Sequence, residues 1–203
     1  RGSDVSLPSI ERAWGDPDAL HGQILEGLQN GFARQVLSAA EHLVEIDAGS
    51  ERSRVLLALV RMESGDLAGC ERELAACMEA HGQSGIALTY VARLHGRRGD
   101  HAGAKRVLRS ALEVDPNQEY ALVWWAMEAR ARGGEEGYRK ALEELAGARG
   151  AWRPQLWLAR ARLEASDVQA ACALYEEVLA KAAHEPEVLT MISGDFGTAG
   201  AFE

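Results

Sequence analysis

The chain has 203 residues, 47% of them hydrophobic, and a formal net charge of −9. That is enough apolar material for a sizeable core, and the acidic field argues against a general binder of nucleic acid or of anionic membrane. No apolar run approaches the roughly 18–20 residues of a membrane span, and no secretory leader opens the sequence. Cys70, Cys77 and Cys172 form an odd set without a CxxC pair, which points to reduced core cysteines in a cytoplasmic protein rather than to disulfides or a metal site.

In chain order, Arg1-Gly2-Ser3 resembles the remnant of a purification tag and carries no functional weight. Residues 4–16 predict a short capping segment, because Leu7, Ile10 and Trp14 recur at helical spacing. From Pro17 a single theme repeats: an apolar stripe, a turn, and a second stripe. Residues 17–50 carry Leu20 and Ile24, then Gly31, then Val36, Ala40 and Leu43, with Phe32 in the turn where later units have Asp or Gly. Residues 51–84 carry Leu57-Ala58, the turn Gly65-Asp66, then Cys70, Leu74 and Cys77.

Residues 85–118 are the clearest unit. Leu88, Val91, Ala92 and His95 share one helix face, Gly99-Asp100 makes the turn, and Ala104, Leu108 and Ala111 line the second helix until Asp115-Pro116 stops it. Residues 119–152 follow with Leu122, Trp125-Ala126 and Ala129, the turn Gly133-Gly134, then Tyr138, Leu142 and Leu145. Residues 153–186 carry Leu156, Ala159 and Leu163, a turn at Ser166-Asp167 that arrives one residue late, then Ala171, Tyr175 and Val178. Residues 187–203 predict the first helix of a sixth unit, with a stripe of Leu189, Ile192 and Phe196 and a turn at Thr198-Ala199-Gly200. Ala201-Phe202-Glu203 then begins a second helix that does not follow, so the chain reads as a fragment of a longer array.

A 34-residue period with small or apolar residues at these offsets resembles the tetratricopeptide repeat. The resemblance covers residues 17–186 as five units (17–50, 51–84, 85–118, 119–152 and 153–186) and departs from the family at named places. The large aromatic usual early in the first helix is Leu88 or Leu122 here. Arg160 stands where a small residue is usual, and Pro116 and Pro186 keep the terminal proline. What it implies is an all-α, right-handed α-solenoid of antiparallel helix pairs, in which each pair buries its stripe against the next. Ala58, Ala92 and Ala126 would let the helices of a pair approach closely.

The resemblance further implies a partner held in the concave groove lined by the first helix of each pair. Carried over by frame, the groove residues are Arg52, Arg93, Arg97, Tyr120, Met127, Arg130 and Trp157, with Val55, Leu59, Met62, Glu63, Ile86, Thr89, Gly96, Val123, Ala131, Pro154, Ala161, Glu164 and Ala165 also on that face. Charge sorts along the array: residues 17–50 hold one Arg against five acids, and residues 85–118 six basic against three acidic residues. Arg93 and Arg97 lie one turn apart and repel each other unless a counter-charge is near. The alternatives are a groove for an acidic peptide and arginines paired with acids such as Glu63 and Glu128. The Lys and Asn set with which the family clamps chaperone tails is absent.

No catalytic signature is present: no GxSxG, HExxH, phosphate loop or GxGxxG after a strand. His95 reads as core or groove edge rather than a metal ligand. Glu135-Glu136, Glu143-Glu144 and Glu176-Glu177 are helical neighbours about 100° apart, not acid–base dyads. The sequence therefore predicts a non-catalytic, cofactor-free and metal-free scaffold for a protein or peptide of acidic character. One alternative is the recruiting arm of a larger enzyme, such as a glycosyltransferase, or of a secretion or polysaccharide-assembly protein. Another is a homodimer formed through the open C-terminal end.

Overall fold

The computed structural model describes residues 7–198, so Arg1-Gly2-Ser3, Val5 and residues 199–203, including the expected last turn and second helix, lie outside the described residues. Those described form eleven helices and no strand. They are α1 (Leu7–Ala13), α2 (Pro17–Gln29), α3 (Leu37–Ile46), α4 (Glu51–Glu63), α5 (Leu67–His81), α6 (Gly85–Arg97), α7 (His101–Val114), α8 (Glu119–Ala146), α9 (Arg153–Glu164), α10 (Val168–Ala182) and α11 (Pro186–Thr198). α8 is two helices in practice, because Gly133 and Gly134 have non-helical backbone, Gly134 with φ +60°. Helices thus begin at Pro17, Glu51, Gly85, Glu119 and Arg153 in steps of 34 residues, with Pro186 33 residues further on.

The helix starts follow from their caps. Ser50, Ser84 and Gln118 accept hydrogen bonds from Ser53 N, Ala87 N and Ala121 N, and Asp16 and Asp66 do the same for α2 and α5. α3 shows what happens without one. With Phe32 where later units have Asp or Gly, residues 32–36 stay in turns, and Val36 at the cap position offers no side-chain bond.

The chain divides into two compact units, Arg1–Val107 and Leu108–Glu203, with the boundary inside α7. In the first unit α1 inserts Ile10 and Ala13 into a core of Leu20, Ile24, Val36, Ala40, Leu43, Leu57 and Val60. Trp14 lies outside that core, its ring stacked on His42 with centroids 4.3 Å apart. A second cluster joins Ala58, Met62, Cys70, Leu74 and Leu94, and burial pushes the Cys70 thiol up to about 11.

In the second unit Leu156, Ala159, Ala171, Tyr175, Val178, Ala182 and Val188 form one core cluster. The expected stripe of α11 holds at Ile192 and Phe196 and departs at Leu189. Val188 is fully buried with Ile192 and Phe196 packed behind it, whereas Leu189 is 54% exposed. Positions 188, 192 and 195 share the inward face at helical spacing, and Leu189 lies one step round from it. The third inward position is Asp195, a buried carboxylate.

Candidate partner-binding face

Each arginine predicted in the first unit has an acidic partner. Arg52, near the start of α4, donates to Asp18 at 2.6 Å. Arg93 and Arg97, one turn apart on α6, both reach Glu63 at the end of α4, at 3.1 and 2.5 Å. The counter-charge that this pair needs is therefore built in. One carboxylate shared by two guanidiniums still leaves a formal charge of +1 on the cluster. Arg93 also lies over the Tyr90 ring, 5.5 Å from its centroid. The next arginine, Arg98, pairs separately with Glu71 at 2.7 and 3.1 Å, and that guanidinium holds the Glu71 carboxyl below its ordinary range.

In the second unit the first half of α8 turns Leu122 and Ala126 inward and leaves Tyr120, Val123 and Met127 outward, 66%, 42% and 50% exposed. These three stand at i, i+3 and i+7, a single apolar stripe on one helix face. Arg130, the charged residue after that stripe, folds across the glycine break, donating to Glu135 at 2.6 Å and lying over the Tyr138 ring. Trp157 is half-buried against the core that holds Leu156 and Tyr175. Of the tryptophan pair on α8, Trp124 donates its ring N–H to Glu128 at 2.7 Å, while Trp125 is half-buried beneath Arg109.

The structure thus brings Arg93 and Arg97 together on Glu63, and Tyr120 and Met127 together with Val123. Arg52 and Arg130 are each held by a local acid. Two residues that the sequence did not single out organise the second unit. Asn117 spans the linker before α8 and the start of α9, accepting from Trp152 N and Arg153 N at 2.8 and 2.9 Å and donating to Gly150 O at 2.9 Å. Asp195 accepts from Arg160 at 2.6 Å and from the Tyr175 hydroxyl at 2.7 Å. The signal for Asp195 was present in two places: an acid on an apolar stripe, and an arginine about one period earlier where a small residue is usual.

Among the described residues no group of three or more His, Cys, Asp or Glu is placed to hold a metal ion. No helix there is long and apolar enough to cross a membrane.

No protein-family model and no curated protein matches the sequence. Solved structures do match the fold. A chain of the Cut9–Hcn1 hetero-tetramer of APC/C superposes with a TM-score of 0.53 at 15% identity, over 93% of this chain and 38% of that one. A tetratricopeptide repeat protein from Parabacteroides merdae gives 0.52 at 11% identity, over 92% and 73% of the two chains. A thermophilic protein of the same repeat class from Thermus thermophilus gives 0.50 at 12% identity, over 89% and 98%. The chain spans little more than a third of the length of the first of these. At such identities the likeness establishes the fold, an all-α solenoid of the tetratricopeptide-repeat type.

Proposed function

We propose that this tetratricopeptide-repeat solenoid is a non-catalytic interaction scaffold whose second unit seats a partner segment on the outward stripe of α8. The observation that carries the reading is the exposure of Tyr120, Val123 and Met127 in one row. Tyr and Met are enriched at protein interfaces, and contiguous exposed apolar side chains on a soluble fold mark contact surfaces. The cluster of Arg93, Arg97 and Glu63 supports a partner with acidic character, because its spare positive charge can take a second carboxylate. The buried, reduced thiols of Cys70 and Cys77 accord with a cytoplasmic setting.

The test is capture from the source lysate with wild type, a Tyr120→Ser/Met127→Ser variant and an Arg93→Gln/Arg97→Gln variant. Glutamine is used because charge reversal would crowd new carboxylates against Glu63. A protein retained by wild type and lost by the first variant supports the stripe. Loss with the second as well supports the acidic partner. A partner retained equally by all three, at unchanged helicity, rules out both the stripe of the second unit and the arginine cluster of the first.

A further inference from the structure

A cleft of about 510 Å³ opens between α9 and α11, walled by Arg160, Leu163 and Glu164 on one side and Gly194, Asp195 and Thr198 on the other. Its charges are unevenly compensated. Asp195 is buried, and both of its oxygens are engaged, one by Arg160 Nε and one by the Tyr175 hydroxyl. Arg160 and Asp195 therefore cancel across the cleft. Arg130, which shares the surroundings of Tyr138 with Arg160 and Glu164, is likewise matched by Glu135. Thr198 turns its hydroxyl back to Gly194 O at 2.8 Å.

Glu164 is left over. It lies one turn after Arg160 on the same helix, where an i,i+4 ion pair would ordinarily form, but the arginine is committed to Asp195. Glu164 has no ion-pair partner among the described residues, and the cleft wall carries a formal charge of −1. Leu163 supplies apolar surface beside it, and a Cβ added at Gly194 would meet nothing within 4 Å, so the α11 side has room.

We propose that this cleft receives a basic side chain of a partner protein, an Arg or Lys whose aliphatic stem lies on Leu163 and whose cationic head pairs with Glu164. The long side chains of Arg and Lys suit such a site, with an apolar stem and a charged tip. The net charge of −9 also favours the approach of cations. Arg160 keeps donors beyond the Nε bound to Asp195, so a carboxylate is the competing ligand that the test separates from a basic one. The site is separate from the α8 stripe, and either can fail without the other.

The test is an NMR titration of the whole chain at low ionic strength with two capped tripeptides, acetyl-Gly-Arg-Gly-amide and acetyl-Gly-Glu-Gly-amide. The arginine peptide is expected to shift amides at 160–164 and 194–198, and the glutamate peptide to leave them unmoved. Glu164→Gln should weaken that binding roughly threefold to fivefold, the size expected for one solvent-accessible ion pair. Gly194→Leu fills the open side of the cleft without touching its charge, and should weaken it as well. Equal shifts with the glutamate peptide would assign recognition to Arg160 and overturn the proposal. So would an absence of shifts, or Glu164→Gln binding the arginine peptide as tightly as wild type.

Discussion

Replacing Asn117 with alanine tests how the second unit holds its helices in register. α9 begins at Arg153 after Trp152, which provides no side-chain cap, although the first amides of any helix lack intrahelical partners. Asn117 supplies the cap from 35 residues earlier. Its Oδ1 accepts from the Trp152 and Arg153 amides, and its Nδ2 holds Gly150 O. Arg153 returns a bond to the Asn117 carbonyl and forks onto Glu187 at 3.1 Å, tying α11 to the same point.

Asn117→Ala removes three hydrogen bonds worth about 1 kcal/mol each and strands two amides that are only half solvated, for a loss of about 2–4 kcal/mol. Asn117→Asp keeps the acceptor beside the Arg153 guanidinium and loses only the donor to Gly150, for a loss of about 1 kcal/mol. Urea unfolding followed by far-ultraviolet circular dichroism measures both, with equal slopes required before midpoints are compared. An alanine variant within about 0.5 kcal/mol of wild type would refute the cap in trans. An aspartate variant as damaged as alanine would refute the assignment of Oδ1 as the part that matters.

Two further predictions concern the last helix pair. Ser166 is the one non-glycine residue with positive φ among the described residues, at +62°, in the turn where earlier pairs have Gly65 and Gly99. Ser166→Gly should therefore stabilise the protein by about 0.5–1 kcal/mol, and a neutral or lowered urea midpoint would contradict the strain. Burial first, and then its bond to Asp195, hold the Tyr175 hydroxyl well above its ordinary value of 10.0. A raised folded-state value means that this stabilisation is complete below about pH 10 and is lost as pH rises beyond it, since the unfolded chain gives up the proton first. The urea midpoint should fall between about pH 9 and pH 11, and the fall should flatten in Tyr175→Phe; a variant with the wild-type slope would place the titration elsewhere, Tyr138 being the other candidate.

The helix pairs were legible because each position is fixed by local chemistry: small residues at tight contacts, Gly or Asp at turns, and apolar residues at i, i+3 and i+4. The buried Ala92, Leu108 and Ala111 follow directly from that pattern. In α11 the stripe departs from the pattern at Leu189 alone, because Val188 is also apolar and neighbours one residue apart compete for the same face, while Ile192 and Phe196 pack on the core as the spacing predicts. What decided it was Asp195, which can face inward because Arg160 and Tyr175 meet it there. A pairing between residues 35 apart leaves no local periodicity to read. The same holds for Glu63: the sequence placed it on the face as an acid near Arg93 and Arg97, but not as the single anion that both share.

The ion pairs between successive helix pairs also bear on how such an array can change over generations. Arg52 with Asp18, Arg97 with Glu63, Arg153 with Glu187 and Arg160 with Asp195 each join positions 34 or 35 residues apart. Yet no two of these pairs fall at matching positions of their units. A lineage that duplicated, deleted or shuffled whole units would preserve the apolar stripes at every new junction while mismatching these charges. At the three junctions that carry them, these pairs therefore favour the existing order of units over a shuffled one, each by the modest amount that a surface ion pair supplies.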